Sequence, residues 1–231
     1  KLERDKMHRF FVSKKENNYF ILDEKVLKHI KSARVKNQTF LCNYNGEFYS
    51  CIFENSKAKI IKKEEINHEF EHSVILAAPI IKIKRFEWIL QKATELGVTQ
   101  IIPMNSKHVD QSIIKNEFKR KNDRFQEIIK NAAEQSFRNK IPDFFRIMKF
   151  EDIIANNKDK VIYVAYENQN LENIETSLQT NSVLIVGPEG GFTVEEIEYA
   201  KANGCKIVSL GKTILRAETA CLYMLSNIRE N

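Results

Sequence analysis

The chain of 231 residues has only seven glycines, four prolines, four cysteines and one tryptophan. Each shortage excludes something. Cys42, Cys51, Cys205 and Cys221 form no C-x-x-C pair, and no histidine stands near any of them at zinc-finger spacing, which argues against structural zinc. Cys205 opens an expected buried strand and Cys221 lies in an apolar helix, the settings of small core residues. No apolar run approaches the roughly 18 residues of a membrane span, and no signal-peptide pattern opens the chain. A cytosolic protein without membrane or metal partners is expected. With 42% hydrophobic and 29% charged residues, disorder is excluded and one or two domains with a real core are expected. Lys1–Lys6 precede Met7-His-Arg-Phe-Phe-Val12, where a folded strand is expected to start, and are set aside as an expected leader.

Scarce glycine is informative by its position. Gly187, Gly190, Gly191, Gly204 and Gly211 are five of the seven. An apolar strand, Ser182-Val-Leu-Ile-Val186, runs into Gly187-Pro-Glu-Gly-Gly191, and Ile207-Val-Ser-Leu-Gly211 repeats the theme before Ile214-Leu-Arg-Ala-Glu-Thr-Ala220. Glycine serves where φ must be positive or where a ligand nears the main chain, and ligands in open α/β sheets gather at the carboxyl ends of strands. The functional site is expected there.

From Phe10 to Ile61 the runs are short and β-like, with Asn45-Gly46 between two aromatic-rich stretches marking a type I′ hairpin. One helix near 23–31 interrupts them. A small β-barrel over 7–70 is the natural closure, since a lone hairpin is marginal. Lys62–His72 reads as a linker. From Ser73 strands and helices alternate, the sign of a mostly parallel sheet with crossover helices, giving an α/β domain over 73–231. Phe86, Ile89, Leu90, Ala93 and Leu96 line one helix face ahead of a Gly97 cap, and a second amphipathic helix carries Phe118, Phe125, Ile128, Ile129, Ala132 and Ala133.

The glycine loop is not a phosphate loop. G-x-G-x-x-G is absent, and Lys206 stands where a Walker pattern ending at Gly211-Lys-Thr213 needs glycine. Pro188 removes an N–H donor and Glu189 adds negative charge, so a ligand without phosphate is favoured. Thr193-Val-Glu-Glu196 is a capping box that fixes a helix start just past the loop. Arg216 and Glu218 sit among Ile214, Leu215, Ala217, Ala220, Leu222 and Leu225, which look buried. Arg216 is then either a structural partner of Glu189 or Glu218, or a guanidinium over a reacting base or phosphate. The net charge of +6 fits a polyanionic partner such as nucleic acid, provided the fold gathers its basic residues.

Gly187-Pro-Glu-Gly-Gly191, Leu210-Gly211 with Ile214-Leu-Arg-Ala-Glu-Thr-Ala220, Ala93-Thr-Glu-Leu-Gly97, Ala133-Glu-Gln-Ser-Phe-Arg138 with Pro142, and the opening Met7-His-Arg-Phe-Phe11 together resemble the RsmE family over Met7–Asn231. These are 16S ribosomal RNA (uracil-N3-)-methyltransferases of the SPOUT, or α/β-knot, superfamily. The resemblance implies an N-terminal PUA-like β-barrel for RNA recognition, a C-terminal SPOUT domain with a trefoil knot, a homodimer, S-adenosyl-L-methionine as cofactor, and 16S rRNA or the 30S subunit as partner. It places the cofactor against Tyr166, Glu167, Gly187, Pro188, Glu189, Gly190, Gly191, Leu210, Gly211, Ile214, Leu215 and Thr219. Catalytic work falls to Arg216 and Glu189, and RNA contact to Arg9, Lys82, Lys84, Arg85 and Arg138. The chain departs from the family at Asn105-Ser-Lys-His108, where an arginine-containing stretch is usual, and its last helix stops early at Asn231. His8, His29, His68, His72 and His108 all lie outside the motifs, so no general base is evident. The rival readings are a SPOUT enzyme acting on another RNA atom, such as a ribose 2′-hydroxyl, and a non-catalytic RNA-binding module.

Overall fold

The structure, a computed structural model, describes residues 7–33, 35–167 and 177–230. The expected leader Lys1–Lys6 and the terminal Asn231 lie outside the described residues. The chain divides into two compact units, one running up to Glu69 and taking in Ala133–Lys140, the other Phe70–Ala132 with the chain from Ile141 onward. The second boundary differs from the sequence expectation, which kept 73–231 together.

The first unit holds β1 (Arg9–Phe11), β2 (Lys14–Glu16), β3 (Tyr19–Ile21), α1 (Glu24–Ser32), β4 (Phe40–Tyr44), β5 (Glu47–Glu54) and β6 (Lys57–Glu64). They form one six-stranded sheet in the order β1-β4-β5-β6-β3-β2, antiparallel except for β1 with β4. Asn45 and Gly46 take φ of 53° and 83°, the type I′ hairpin that the dipeptide announces. Asp23 caps α1 by accepting from the Val26 N–H at 2.8 Å. Phe10, Phe20, Phe40, Cys42, Cys51 and Ala58 bury together with Val26 and Ile30 of α1. Because β6 continues to Glu64, the expected linker begins as strand.

Ala133–Lys140 joins this unit through side chains that leave little freedom. Phe137 has a φ of 62°, unusual for a bulky residue, and the Arg138 N–H returns to the Ala133 carbonyl at 3.0 Å in a Schellman-type helix end. Glycine is usual there; the phenyl ring is instead held by Phe48 and His68, at centroid distances of 5.0 and 4.6 Å, and by the Arg9 guanidinium at 4.6 Å. Asn139 donates to the carbonyls of Gly46 and Ile66 at 2.9 and 2.8 Å and accepts from the His68 N–H at 2.9 Å.

The second unit contains β7 (Val74–Pro79), α2 (Ile83–Glu95), β8 (Gln100–Asn105), α3 (Gln111–Asn116), α4 (Asn122–Gln135), whose last turn belongs to the first unit, β9 (Asp143–Phe144), β10 (Met148–Lys149), α5 (Phe150–Ala155), β11 (Val161–Ala165), β12 (Leu178–Gln179), β13 (Ser182–Val186), α6 (Val194–Ala202), β14 (Lys206–Val208), α7 (Ala217–Ser226) and β15 (Ile228–Arg229). The expected second amphipathic helix is split: Phe118 lies in a 3₁₀ turn between α3 and α4. The main sheet runs β10-β8-β7-β13-β11-β14, every pair parallel, with β9 beside β8. A parallel sheet is covered on both faces, and alternate residues here serve two cores. Val74, Leu76 and Ala78 of β7 face one, with α2 and α7; Ile75 and Ala77 face the other, with α5 and α6. All the carboxyl ends therefore lie along one edge, and the loops after β13, β11 and β14 come from neighbouring strands.

Candidate functional site

Gly187–Gly191 follows β13, the strand between β7 and β11. A turn closes it, with the Gly191 N–H on the Pro188 carbonyl at 2.8 Å. Its three glycines answer three different local demands. A Cβ on Gly187 would come within 3.1 Å of the Phe192 ring, which packs against Phe150, and one on Gly190 within 2.9 Å of the His108 Cβ. Gly191 meets nothing within 4 Å, yet its φ of 66° disfavours any side chain. The sequence-based argument from ligand approach is thus replaced by packing at two positions. Beyond the loop the capping box forms as expected, with the Glu196 N–H on the Thr193 hydroxyl at 3.2 Å and the Glu196 carboxylate on the Thr193 N–H at 2.9 Å.

Tyr166 and Glu167 follow β11, and the Tyr166 N–H reaches the Val208 carbonyl at 3.0 Å, tying this loop to β14. Its continuation lies outside the described residues. After β14 come Leu210, half-buried against the core, and Gly211 with a φ of 136°. Ile214 is 77% exposed and Leu215 half-buried, so the expectation that both are core residues is corrected: they offer apolar surface at the strand ends. Thr219 is exposed on the first turn of α7.

The charges pair differently from the expectation. Arg85, on the first turn of α2, lies between two carboxylates, with Nη1 3.3 Å from Glu189 Oε1 and Nε 3.8 Å from Glu218 Oε1. It fills the structural role anticipated for Arg216. Arg216 itself precedes α7 with an exposed side chain, and among the described residues its guanidinium makes no hydrogen bond or ion pair. Glu189 is half-exposed and engaged by Arg85, an arrangement that holds the loop. Glu218 is mostly buried at 11% side-chain exposure, and its Oε2 is a buried oxygen without a hydrogen-bond partner among the described residues. Such an atom calls for a donor or a cation.

Of the residues expected to contact RNA, Lys82 and Lys84 are exposed beside the site. Arg138 is not available: its side chain is 4% exposed and ion-paired with Glu69 at 2.6 Å. Arg9 donates to the carbonyls of Glu134 and Gln135 at 2.9 and 3.0 Å, which makes it a tie to the end of α4. Sequence reasoning missed His108. It stands in the turn after β8, and its Nδ1 lies 2.8 Å from the Gly190 carbonyl and 3.2 Å from that of Gly191. Parallel order alone would have put the β8 turn near the β13 loop, but the order is not written in the local sequence. No group of three or more potential metal ligands occurs, and no helix is long and apolar enough to cross a membrane, among the described residues.

A parallel α/β sheet with loops at three adjacent strand ends, two of them shaped by glycine, defines the class, and residues 68–229 match the family model described as RNA methyltransferase domain. The chain is 41% identical over 224 residues to the ribosomal RNA small subunit methyltransferase E of Mesomycoplasma hyopneumoniae (strain 232), covering 95% of this chain and 98% of that protein. The Bacillus subtilis (strain 168) protein of the same name is 34% identical over 83% of this chain and 80% of its own. A crystal structure of the Neisseria gonorrhoeae enzyme bound to S-adenosyl methionine aligns with a TM-score of 0.79 at 28% identity, over 95% of each chain. The chain belongs to the ribosomal RNA small subunit methyltransferase E family, with a parallel-sheet α/β domain and a mostly antiparallel N-terminal sheet.

Proposed function

We propose that the protein methylates N3 of a uridine in 16S ribosomal RNA, with S-adenosyl-L-methionine bound across the loops after β11, β13 and β14. The observation that carries this reading is the set of three neighbouring strand ends, those of β13 and β14 shaped by glycine and without a phosphate-loop pattern, in a chain so similar to ribosomal RNA methyltransferases. The residues fit that cofactor. Open backbone at Gly191 and Gly211, apolar surface at Leu210, Ile214 and Leu215, and the orphaned Glu218 oxygen suit a cationic, phosphate-free ligand with an apolar part. When bound, it supplies an activated methyl group on a sulfonium centre.

The chain's own part is positioning and charge control. Pro188 and the Arg85–Glu189 pair fix the glycine loop, while the capped α6 holds it from behind. Arg216 is free to meet the uracil oxygen or the RNA backbone, where a guanidinium stabilises the negative charge left when N3 loses its proton. N3 is hidden in paired RNA, so the target must be unpaired or extruded. The first unit is assigned to RNA recognition, and the knotted topology and homodimer are carried over from the family. The apolar character of α7 is no argument for a dimer, because Ala217, Ala220, Cys221, Met224 and Leu225 are buried within the single chain.

Incubation of unmodified 16S rRNA and 30S subunits with the protein and labelled cofactor, followed by nucleoside mass spectrometry, tests the reading. N3-methyluridine is expected. A ribose 2′-O-methyl product, or cofactor-independent RNA binding without product, would replace it with one of the rival readings, and light scattering decides the dimer.

A further inference from the structure

We propose that His108 is a positioning residue for the glycine loop, orienting its peptide planes toward the cofactor, and that Gly190 is glycine because His108 backs onto it. The inference rests on the reading of Gly187–Gly191 as a cofactor loop. Both groups facing His108 Nδ1 are carbonyl oxygens, 2.8 and 3.2 Å away, and can only accept. Nδ1 therefore carries the hydrogen and bridges two successive carbonyls. In a trans peptide the N–H points opposite to its C=O. Holding the Gly191 carbonyl against His108 thus turns the Phe192 N–H to the other side of the loop, while the Gly190 carbonyl held there leaves the Gly191 N–H for the Pro188 carbonyl. No partner for the N–H groups of Gly190 or Phe192 is found among the described residues. The imidazole thereby takes up the acceptors and leaves donors for a ligand.

The support is stiff on both sides. Val109 is buried, its N–H closes a turn on the Ser106 carbonyl at 3.1 Å, and Asp110 caps α3 by accepting from the Ser112 N–H at 2.8 Å. The Lys107 N–H binds Glu196 Oε1 at 2.9 Å, so the capping-box carboxylate behind the glycine loop grips the same turn. A Cβ on Gly190 would lie 2.9 Å from the His108 Cβ and 3.2 Å from its Cγ, atoms next to the backbone that cannot swing aside.

Cofactor binding by calorimetry, steady-state kinetics and amide hydrogen exchange across 187–193 test this on the full chain. His108→Asn places an amide N–H near the position of Nδ1 and should retain binding, whereas His108→Ala and His108→Gln should weaken it by about tenfold, the loss of roughly one hydrogen bond. KM for the cofactor should rise with kcat little changed, and exchange at the Gly191 N–H, held on the Pro188 carbonyl, should quicken in the Ala and Gln variants only. Gly190→Ala should bind poorly, and adding His108→Gly should return binding to the level of His108→Gly alone. Parent-like binding and exchange in His108→Ala, or a Gly190→Ala defect that persists beside His108→Gly, would overturn the proposal. If the parent does not bind S-adenosylmethionine, the function reading fails, and the exchange comparison still decides whether His108 holds the loop.

Discussion

Arg138 lies against Glu69 with Nε 3.0 Å from Oε1 and Nη2 2.6 Å from Oε2, while the same carboxylate accepts the N–H groups of Asn139 and Lys140 at 2.7 and 3.0 Å. Four donors on one nearly buried carboxylate make this a structural knot of charge, where the sequence motif had implied an RNA contact. Arg138→Met should lower stability by about 3 kcal/mol, the usual consequence of stranding one partner of a buried pair. Chemical denaturation measures it, and a change below about 0.5 kcal/mol would show that the pair contributes nothing.

Acid should weaken the same contact. Burial works against the charge on Glu69, but the Arg138 hydrogen bonds and charge, with the two N–H groups, outweigh it and hold the carboxyl below the ordinary value of 4.5. A depressed carboxyl contributes its full stability above the unfolded value and loses it as pH falls through the folded one. Denaturation midpoints should therefore drop below about pH 4.5, and Glu69→Gln should start lower and lose less over that range. Parallel curves for the two proteins would contradict the assignment.

Arg216→Ala should cut turnover by tenfold or more, on the order seen when a transition-state charge donor is removed, with stability unchanged. Its exposed guanidinium makes no hydrogen bond or ion pair among the described residues, so unfolding is not expected to explain the loss. A variant as active as the parent would strip Arg216 of a catalytic part.

Arg85→Met should differ from Glu189→Gln. The Arg85–Glu189 pair is half-exposed and worth about 0–1 kcal/mol, whereas loss of Arg85 also leaves Glu218 buried without its cation. The arginine variant should be the less stable of the two, and Glu218→Gln should restore much of the difference. Additive losses in that double variant would refute the coupling.

RNA affinity should fall with salt, and Lys82→Ala and Lys84→Ala should each reduce the log–log slope by about one counterion. Arg9 and Arg138, held by carbonyls and by Glu69, should leave the slope unchanged in variants that fold. Filter binding between low and moderate salt distinguishes the two groups.

What the sequence disclosed follows from the range of the interactions involved. The Asn45-Gly46 turn, the Asp23 helix start, the Gly97 helix end and the Thr193 capping box depend on neighbours within a few residues, and all four appear where the local pattern puts them. The strand-to-loop transitions at Gly187 and Gly211 were legible for the same reason. Pairings across the chain were not. A guanidinium partner for Glu189 exists at Arg85 because β7, which leads into α2, lies beside β13 in the sheet, and motif proximity favoured Arg216 instead. Ile214 was misread as core because an apolar residue next to a helix looks buried until the loop is seen to face outward. His108 carried no local signal, since its partners are carbonyls more than eighty residues away.

The route of the chain, into one unit, out to the other, back for Ala133–Lys140 and out again, has a consequence for genetics and protein engineering. No single breakpoint in the coding sequence yields both halves intact. Removal of the N-terminal unit by a downstream translation start, a protease or a shuffled gene fragment leaves the end of α4 with a phenyl ring at positive φ and a guanidinium stripped of its carboxylate. A deletion of 7–61 therefore removes the packing surface for that segment along with any RNA-binding surface. Recombination that exchanges the N-terminal sheet must bring its own version of 133–140, because the two stretches belong to one compact unit although some sixty residues of another separate them.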